Sequence, residues 1–198
     1  MGFKLNEEYW DNKYQSKNLG WDIGYVSTPI KHYVDQLNES DINILLPGAG
    51  NSYEAEYLHK NKFKNVHVLD FAKSPLVNLK QRVPTFNSKH LHQSDFFNFN
   101  GQFDLIIEQT FLSAISPDRR QDYVGKMFSL LKPGGKLVGA LFNRDFHNDH
   151  PPFGGNIDEY KTLFEPFFNI RVMDQAYNSI SERNGSELFV NLEKRPKT

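Results

Sequence analysis

From residue 42 onward, short apolar runs alternate with longer helix-patterned segments, and this alternation restricts the fold more than any other feature of the chain. Ile42-Asn43-Ile44-Leu45-Leu46 is too short for a helix and ends in Pro47-Gly48-Ala49-Gly50, so it reads as a strand running into a turn. Asn51 or Ser52 then offers an N-cap for a helix through about Asn61. Val66-His67-Val68-Leu69-Asp70 reads as a second strand. Ser74-Pro75 follows as an N-cap with Pro at the first helical position, for a helix toward Arg82. His90 to Gln93, Phe103 to Glu108 and Lys136 to Phe142 continue the strands. Between the last two, Asp118 caps a helix with apolar positions Tyr123, Val124, Met127, Phe128, Leu130 and Leu131, which Lys132-Pro133-Gly134-Gly135 stops. After a short helix over Asp158 to Phe164, Phe168 to Met173 and Leu188 to Leu192 read as closing strands. Such alternation implies βαβ units with right-handed crossovers. The expected fold is α/β, a seven-stranded and mostly parallel sheet with helices on both faces.

No repeat, linker or low-complexity stretch interrupts the 198 residues, so one domain is expected over 1–198. Within it, 1–40 forms a polar, aromatic-rich N-terminal segment and 41–198 the core. That segment offers a helix over Glu7 to Tyr14, and a second begun by Pro29 with Ile30, Tyr33, Val34 and Leu37 on one face. Seventeen Phe and nine Tyr are many for this length; much of that excess is expected in the core, with some left to line a pocket for a flat or apolar ligand.

Lys+Arg (23) and Asp+Glu (24) nearly cancel, with no basic run, so no nucleic-acid partner is expected. The absence of Cys removes a disulfide framework, a thiolate metal site and a Cys nucleophile. No apolar run approaches the length of a membrane span, and Met1 to Glu8 lacks the apolar centre of a signal peptide. A cytoplasmic protein without membrane contact is the expectation, with a monomer as the default.

Four motifs carry chemistry. Gly48-Ala49-Gly50 lets backbone approach a ligand at a helix N-terminus, although such a turn also serves as an ordinary strand–helix connection. Asp70 lies 20 residues beyond Gly50, at a strand end where an acid accepts hydrogen bonds from ribose hydroxyls. Together they indicate a nucleoside site. A dinucleotide is disfavoured, because Tyr53 stands where a third glycine would pack a helix against a pyrophosphate. In Ser94-Asp95-Phe96-Phe97 an acid followed by an aromatic suits an adenine ring. Gln109-Thr110-Phe111 ends the fourth strand at the cleft where open α/β sheets bind ligands.

The order of these motifs resembles that of class I S-adenosylmethionine methyltransferases, with Leu131-Lys132-Pro133-Gly134-Gly135 the most typical stretch. Glu8-Tyr9-Trp10-Asp11, Gly20-Trp21-Asp22, Leu46-Pro47-Gly48-Ala49-Gly50, Ala114-Ile115-Ser116-Pro117, Pro151-Pro152-Phe153 and Ser181-Glu182-Arg183 are similar to the thiopurine S-methyltransferase family. The nearest likeness is to its branch of plant-type thiol and halide methyltransferases. The resemblance implies a Rossmann-like fold and S-adenosylmethionine as cofactor. It implies a small soft acceptor such as a thiol, a thiopurine or a halide-like anion. Trp10 and Trp21 would form a lid over cofactor and acceptor. Gly48 and Gly50 would face the methionine portion, Asp70 the ribose, and Asp95 with Phe96 the adenine. Gln109 and Thr110 would sit near the methyl group, and Phe111, Pro152, Phe153 and Arg183 would border the acceptor together with Trp21. Two positions depart from the pattern. Leu46 stands where the wider superfamily often carries an acid; the thiopurine-type branch lacks that acid too, and its absence leaves the amino-group partner open. Gln109 stands where some thiopurine enzymes carry Arg, which points away from thiopurine itself.

The catalytic group is not fixed by these motifs; Glu108, His147 and Asp149 are candidates for a base. Asp145 to His150 holds histidines and carboxylates without a recognised ligand spacing, so no metal is expected. Arg119 and Arg120 read as a solvated helix start. An oxygen, nitrogen or metalloid acceptor, or nucleoside binding without catalysis, remain as alternatives.

Overall fold

The computed structural model describes residues 5–196; residues 1–4 of the N-terminal segment and the last two lie outside the described residues. Seven strands form one sheet: β1 (Asn43–Pro47), β2 (Asn65–Asp70), β3 (Leu91–Gln93), β4 (Phe103–Gln109), β5 (Leu131–Phe142), β6 (Phe168–Gln175) and β7 (Glu187–Lys194), in the order β3-β2-β1-β4-β5-β7-β6. β7 runs antiparallel to both of its neighbours, and the other pairings are parallel.

The central strands are apolar on both faces because helices cover both. On β1, Leu45 joins one core cluster while Ile44 and Leu46 join the other; on β4, Ile106 opposes Leu105 and Ile107 in the same way. This is the period-two alternation of a strand read in two apolar environments. The first cluster is completed by α5 (Arg120–Leu130), through Tyr123, Val124 and Met127, and by α6 (Ile157–Phe164), through Tyr160 and Phe164. The second is completed by α2 (Thr28–Val34), α3 (Tyr53–Lys60) and α4 (Lys73–Arg82), through Ile30, Val34, Ala55, Leu58, Leu76 and Leu79. Each such fully buried aliphatic side chain contributes roughly 1.5–3 kcal/mol. The N-terminal helix α1 (Glu7–Gln15) buries no residue fully and packs on α4.

Several boundaries differ from the sequence expectation; Asp118, for example, falls in a 3-10 turn (Pro117–Arg119), and Arg119 takes the cap position of α5. α4 begins at Lys73 with Ala72 in the capping position, because a carboxylate from elsewhere does the work assigned to Ser74: Asp11 of α1 accepts the Ser74 N–H at 2.9 Å. The stop after α5 is not a separate turn. Leu131 already pairs with Phe103, and the register shifts before Leu105 meets Lys136, so Lys132 to Gly135 form an irregular start to β5. Residues Ser88–His90 form a short 3-10 turn that shortens β3.

The strand order reverses between β1 and β4, where the chain leaves β1 toward β2 on one side and β4 lies on the other. The carboxyl ends of neighbouring strands there diverge into a crevice, the position at which open α/β sheets bind ligands. Gly48, Asp70 and Gln109 all fall at this edge.

Candidate functional site

A cavity of ≈ 880 Å³ opens at that edge, near the upper end of the size range of small-molecule sites. Strand ends make its floor, the loop after β3 one wall, the turn after β4 another, and the N-terminal segment its roof.

The floor is backbone-rich. Gly48 and Gly50 have φ of +56° and +54°, values that cost an L-residue with a Cβ about 1–2 kcal/mol. A Cβ on Gly48 would also overlap the Phe111 ring. The turn therefore needs glycine for conformation and for space. Asp70 anchors it: its carboxylate accepts the Gly50 N–H and the Ala72 N–H, each at 2.9 Å. Burial pushes the Asp70 pKa up to about 6, against the pull of these backbone N–H groups. Each oxygen retains a lone pair, and Asp70 lines the cavity.

Beyond β3, the Asp95 carboxylate accepts the Phe97 N–H at 2.9 Å, which fixes a tight turn and leaves acceptor capacity toward the cavity. Phe96 is buried edge-on against Phe111 at 5.2 Å between ring centres. After β4, Thr110 takes φ +56° and starts the short 3-10 turn Phe111–Ala114. Glu108 holds that turn from below by accepting the N–H groups of Phe111 and Leu112 together with the Tyr123 hydroxyl. Gln109 points to the cavity, and its side-chain oxygen accepts the Ser27 hydroxyl at 2.6 Å.

The roof is aromatic. Trp21 meets Trp10 at 5.8 Å and Tyr14 at 5.9 Å between ring centres, both nearly perpendicular, a geometry favoured by the ring quadrupoles. The Tyr14 hydroxyl is 3.0 Å from where a Gly50 Cβ would stand; burial raises its pKa well above the ordinary value. Residues 21–27 are tied down by Asn51 donating to Asp22, by the Ser27 N–H donating to buried Glu54 at 3.0 Å, and by Arg183 donating to the Trp21 carbonyl at 2.6 Å.

Residues 5–195 match the thiopurine S-methyltransferase family. The chain belongs to that family. It is 28% identical over 90% of its length to "Probable thiol methyltransferase 2" of Arabidopsis thaliana, covering 81% of that protein. To "Thiocyanate methyltransferase 1" of Brassica oleracea it is 26% identical, over 92% of this chain and 83% of the other. To "Thiopurine S-methyltransferase" of Acinetobacter baylyi it is 24% identical, over 92% and 94%. Among solved structures, a Burkholderia thailandensis 1,6-didemethyltoxoflavin-N1-methyltransferase superposes with a TM-score of 0.77 at 16% identity, over 96% of this chain and 87% of the other. The fold is thus the Rossmann-like fold of class I methyltransferases, and this protein is an S-adenosylmethionine-dependent methyltransferase.

The cavity of this methyltransferase brings together Trp10, Trp21, Gly48, Asp70, Asp95, Phe96, Gln109, Thr110, Phe111, Pro152 and Arg183. Gly50 lies one layer behind, under Tyr14. Four expectations need correction. Glu108 is 0% exposed, is absent from the cavity wall and spends its carboxylate on three protein donors. His147 and Asp149 are exposed on the loop after β5 and lie outside the cavity wall, where His147 pairs with Asp145. Phe153 also stays out of the cavity; its N–H donates to the Ser113 carbonyl at 2.7 Å, tying the loop to the turn after β4. Arg183 borders the cavity as expected, with its guanidinium held by Glu187 and the Trp21 carbonyl. Of the expected solvated helix start, Arg119 is exposed but Arg120 is not. Arg119 stacks on Phe97 at 3.5 Å and lines the cavity, while Arg120 is buried between Glu159 and the Gly154 carbonyl.

Sequence reading missed Tyr14, Ser27 and Glu54. Glu54 had a visible signal: it is four residues before Leu58, hence on the buried face of α3, and an acid there calls for a partner. Ser27 and Tyr14 lie in short segments whose side-chain directions only tertiary packing sets.

Proposed function

We propose that this enzyme transfers a methyl group from S-adenosylmethionine to a small soft nucleophile, a thiol or a halide-like anion, in the cavity under the aromatic roof. The residues present fit this donor. Acidic acceptors at the end of β2 and just beyond β3 suit ribose hydroxyls and an adenine amino group, and positive-φ Gly48 exposes backbone to the methionine portion. Asp70 would hold the ribose, Asp95 and Phe96 the adenine, and Gly48 the amino-acid end. When bound, S-adenosylmethionine supplies an electrophilic methyl group whose leaving thioether is neutral.

The chain's contribution is placement and exclusion of water. Gln109, Thr110 and Phe111 form the wall at the strand end and align the acceptor; such positioning supplies a large share of the rate in many enzymes. Trp10 and Trp21 close over the site, with α1 and the segment through Ser27 as the lid, and strip water from the incoming nucleophile.

The observation that carries the acceptor class is the acceptor wall. Its apolar part is Phe111, Ile115, Phe142, Phe146 and Pro152, with Arg144, His150 and Glu182 also lining the cavity, and the one carboxylate at the end of β4, Glu108, faces the core. An alcohol needs a base positioned at that strand end, and Glu108 is turned away from it. A thiol, with an ordinary pKa of about 8.5, is partly ionised near neutrality and needs none. The names of the plant relatives, thiol and thiocyanate methyltransferases, support the same class. The setting fits the cytoplasm, where thiols stay reduced.

The test is an acceptor panel scored by S-adenosylhomocysteine formation: hydrosulfide, thiophenol, a thiopurine and iodide against phenol and aniline. Turnover on sulfur or iodide and none on phenol or aniline is expected. Turnover confined to the oxygen or nitrogen acceptors overturns the class.

A further inference from the structure

Arg183 occupies an unusual position. It ends a 3-10 turn (Ser181–Arg183) in the β6–β7 connection and borders the cavity, yet its guanidinium is committed to protein groups. One amino group donates to the buried Glu187 carboxylate at 3.0 Å, and Glu187 in turn accepts the Ser179 hydroxyl at 2.7 Å. The other donates to the Trp21 carbonyl at 2.6 Å. The planar group lies 5.3 Å from the centre of the Phe142 ring. A guanidinium held in this fork is pre-organised and offers little to a ligand. What it holds is the backbone of the residue whose indole stands in the roof, edge-on to Trp10 and Tyr14.

A second set of contacts joins the same two segments. Thr28 donates to the Asn178 carbonyl, and the Tyr177 hydroxyl meets His32 at 2.9 Å. The β6–β7 connection therefore grips the chain from Trp21 to His32 at both ends. We propose that Arg183 is the latch of the aromatic lid: a positioning residue that couples the β6–β7 connection to the closed state of Trp21, rather than a group that binds the acceptor. The inference rests on the reading that the lid covers the methyl-donor site. Its consequence is coupling in both directions. Whatever steadies residues 177–187 from the acceptor side tightens the donor site, and donor binding tightens the acceptor side by the same factor.

The test uses Arg183→Lys, which keeps the charge beside Glu187 and loses the fork. Three quantities are compared with the wild type: S-adenosylhomocysteine affinity by calorimetry, acrylamide quenching of tryptophan in the ligand-free protein, and hydrogen exchange of residues 21–27. Loss of one hydrogen bond from a charged donor shifts an open–closed equilibrium by about tenfold. Quenching and exchange over 21–27 rise in the ligand-free variant, exchange in β1 and β4 stays protected, and S-adenosylhomocysteine affinity falls by a few-fold up to about tenfold. If acceptor KM alone rises, with lid exchange and donor affinity unchanged, Arg183 is an acceptor ligand and the latch is wrong. Should Arg183→Lys fail to fold, Glu187→Gln applies the same test. It weakens the hold on the guanidinium, and unchanged exchange over 21–27 overturns the latch. Failure of the wild type to bind S-adenosylhomocysteine is a separate result. It refutes the donor reading, while the latch is still scored on the ligand-free measurements.

Discussion

Replacing Glu108 by Gln shows what that carboxylate does. Glu108 is wholly excluded from solvent. Burial raises its pKa from 4.5 to about 7, against the opposing pull of Tyr123, Leu112 and Phe111. The folded protein thus binds this proton more tightly than the unfolded chain. The corresponding stability is fully present below the unfolded pKa and is lost as pH rises through about 7. At about 1.4 kcal/mol per pKa unit the full span is worth roughly 3 kcal/mol, of which about 2.5 falls between pH 5 and pH 8. E108Q has no such dependence, and its amide still accepts the two backbone N–H groups. Urea unfolding of both proteins from pH 5 to pH 8 isolates the difference, because every other titrating group is shared. The variant gains about 2–3 kcal/mol on the wild type as pH rises, or roughly 5–10 °C in melting temperature for a chain of this size. A gap that stays constant with pH, or that moves the other way, refutes the argument. Methyl transfer by E108Q falls by less than the ~10²-fold that loss of a general base costs; a larger loss with an intact fold makes Glu108 the base after all.

Gly48→Ala pays twice, about 1–2 kcal/mol for its positive φ and about 1–3 kcal/mol for the overlap with Phe111. Phe111→Ala relieves only the second, so a double-mutant cycle in urea gives a coupling of about 1–3 kcal/mol, and strict additivity contradicts the packing described. His67 behaves in the sense opposite to Glu108. Desolvation, with His90 and His92 adding repulsion, lowers its pKa from 6.5 to about 4, so its contribution is present above 6.5 and lost as pH falls toward 4. The ring is half-exposed, which reduces the effect to about 1 kcal/mol. Between pH 7 and pH 5, H67Q loses about that much less stability than the wild type; equal losses refute the assignment.

The fold was legible because its signals are local and repeated. Ile44 to Leu46 and Leu105 to Ile107 are too apolar and too short to be anything but covered strands, and Pro47-Gly48 ends the first of them. The donor side of the site was legible for the same reason. Gly48, Asp70, Asp95 and Gln109 each end a strand, and the topology gathers strand ends. What stayed hidden depends on contacts distant in sequence. Asp11 substitutes for Ser74 at the start of α4 across 63 residues, and Arg183 reaches Trp21 across 162. Glu108 looked like a base because it adjoins the cleft in sequence, but strand alternation turns it to the core where Tyr123 waits. Arg120 looked solvated because Arg usually is; here Glu159 and the Gly154 carbonyl make burial tolerable.

Calorimetric titration of the purified protein with S-adenosylhomocysteine tests the central claim most directly, because it asks whether this cavity is a nucleoside thioether site before any acceptor is chosen. The account predicts one site per chain with affinity in the micromolar range, about −8 kcal/mol, weakened at least tenfold in Asp70→Asn. Absence of binding well above micromolar ligand, or affinity indifferent to Asp70, contradicts it.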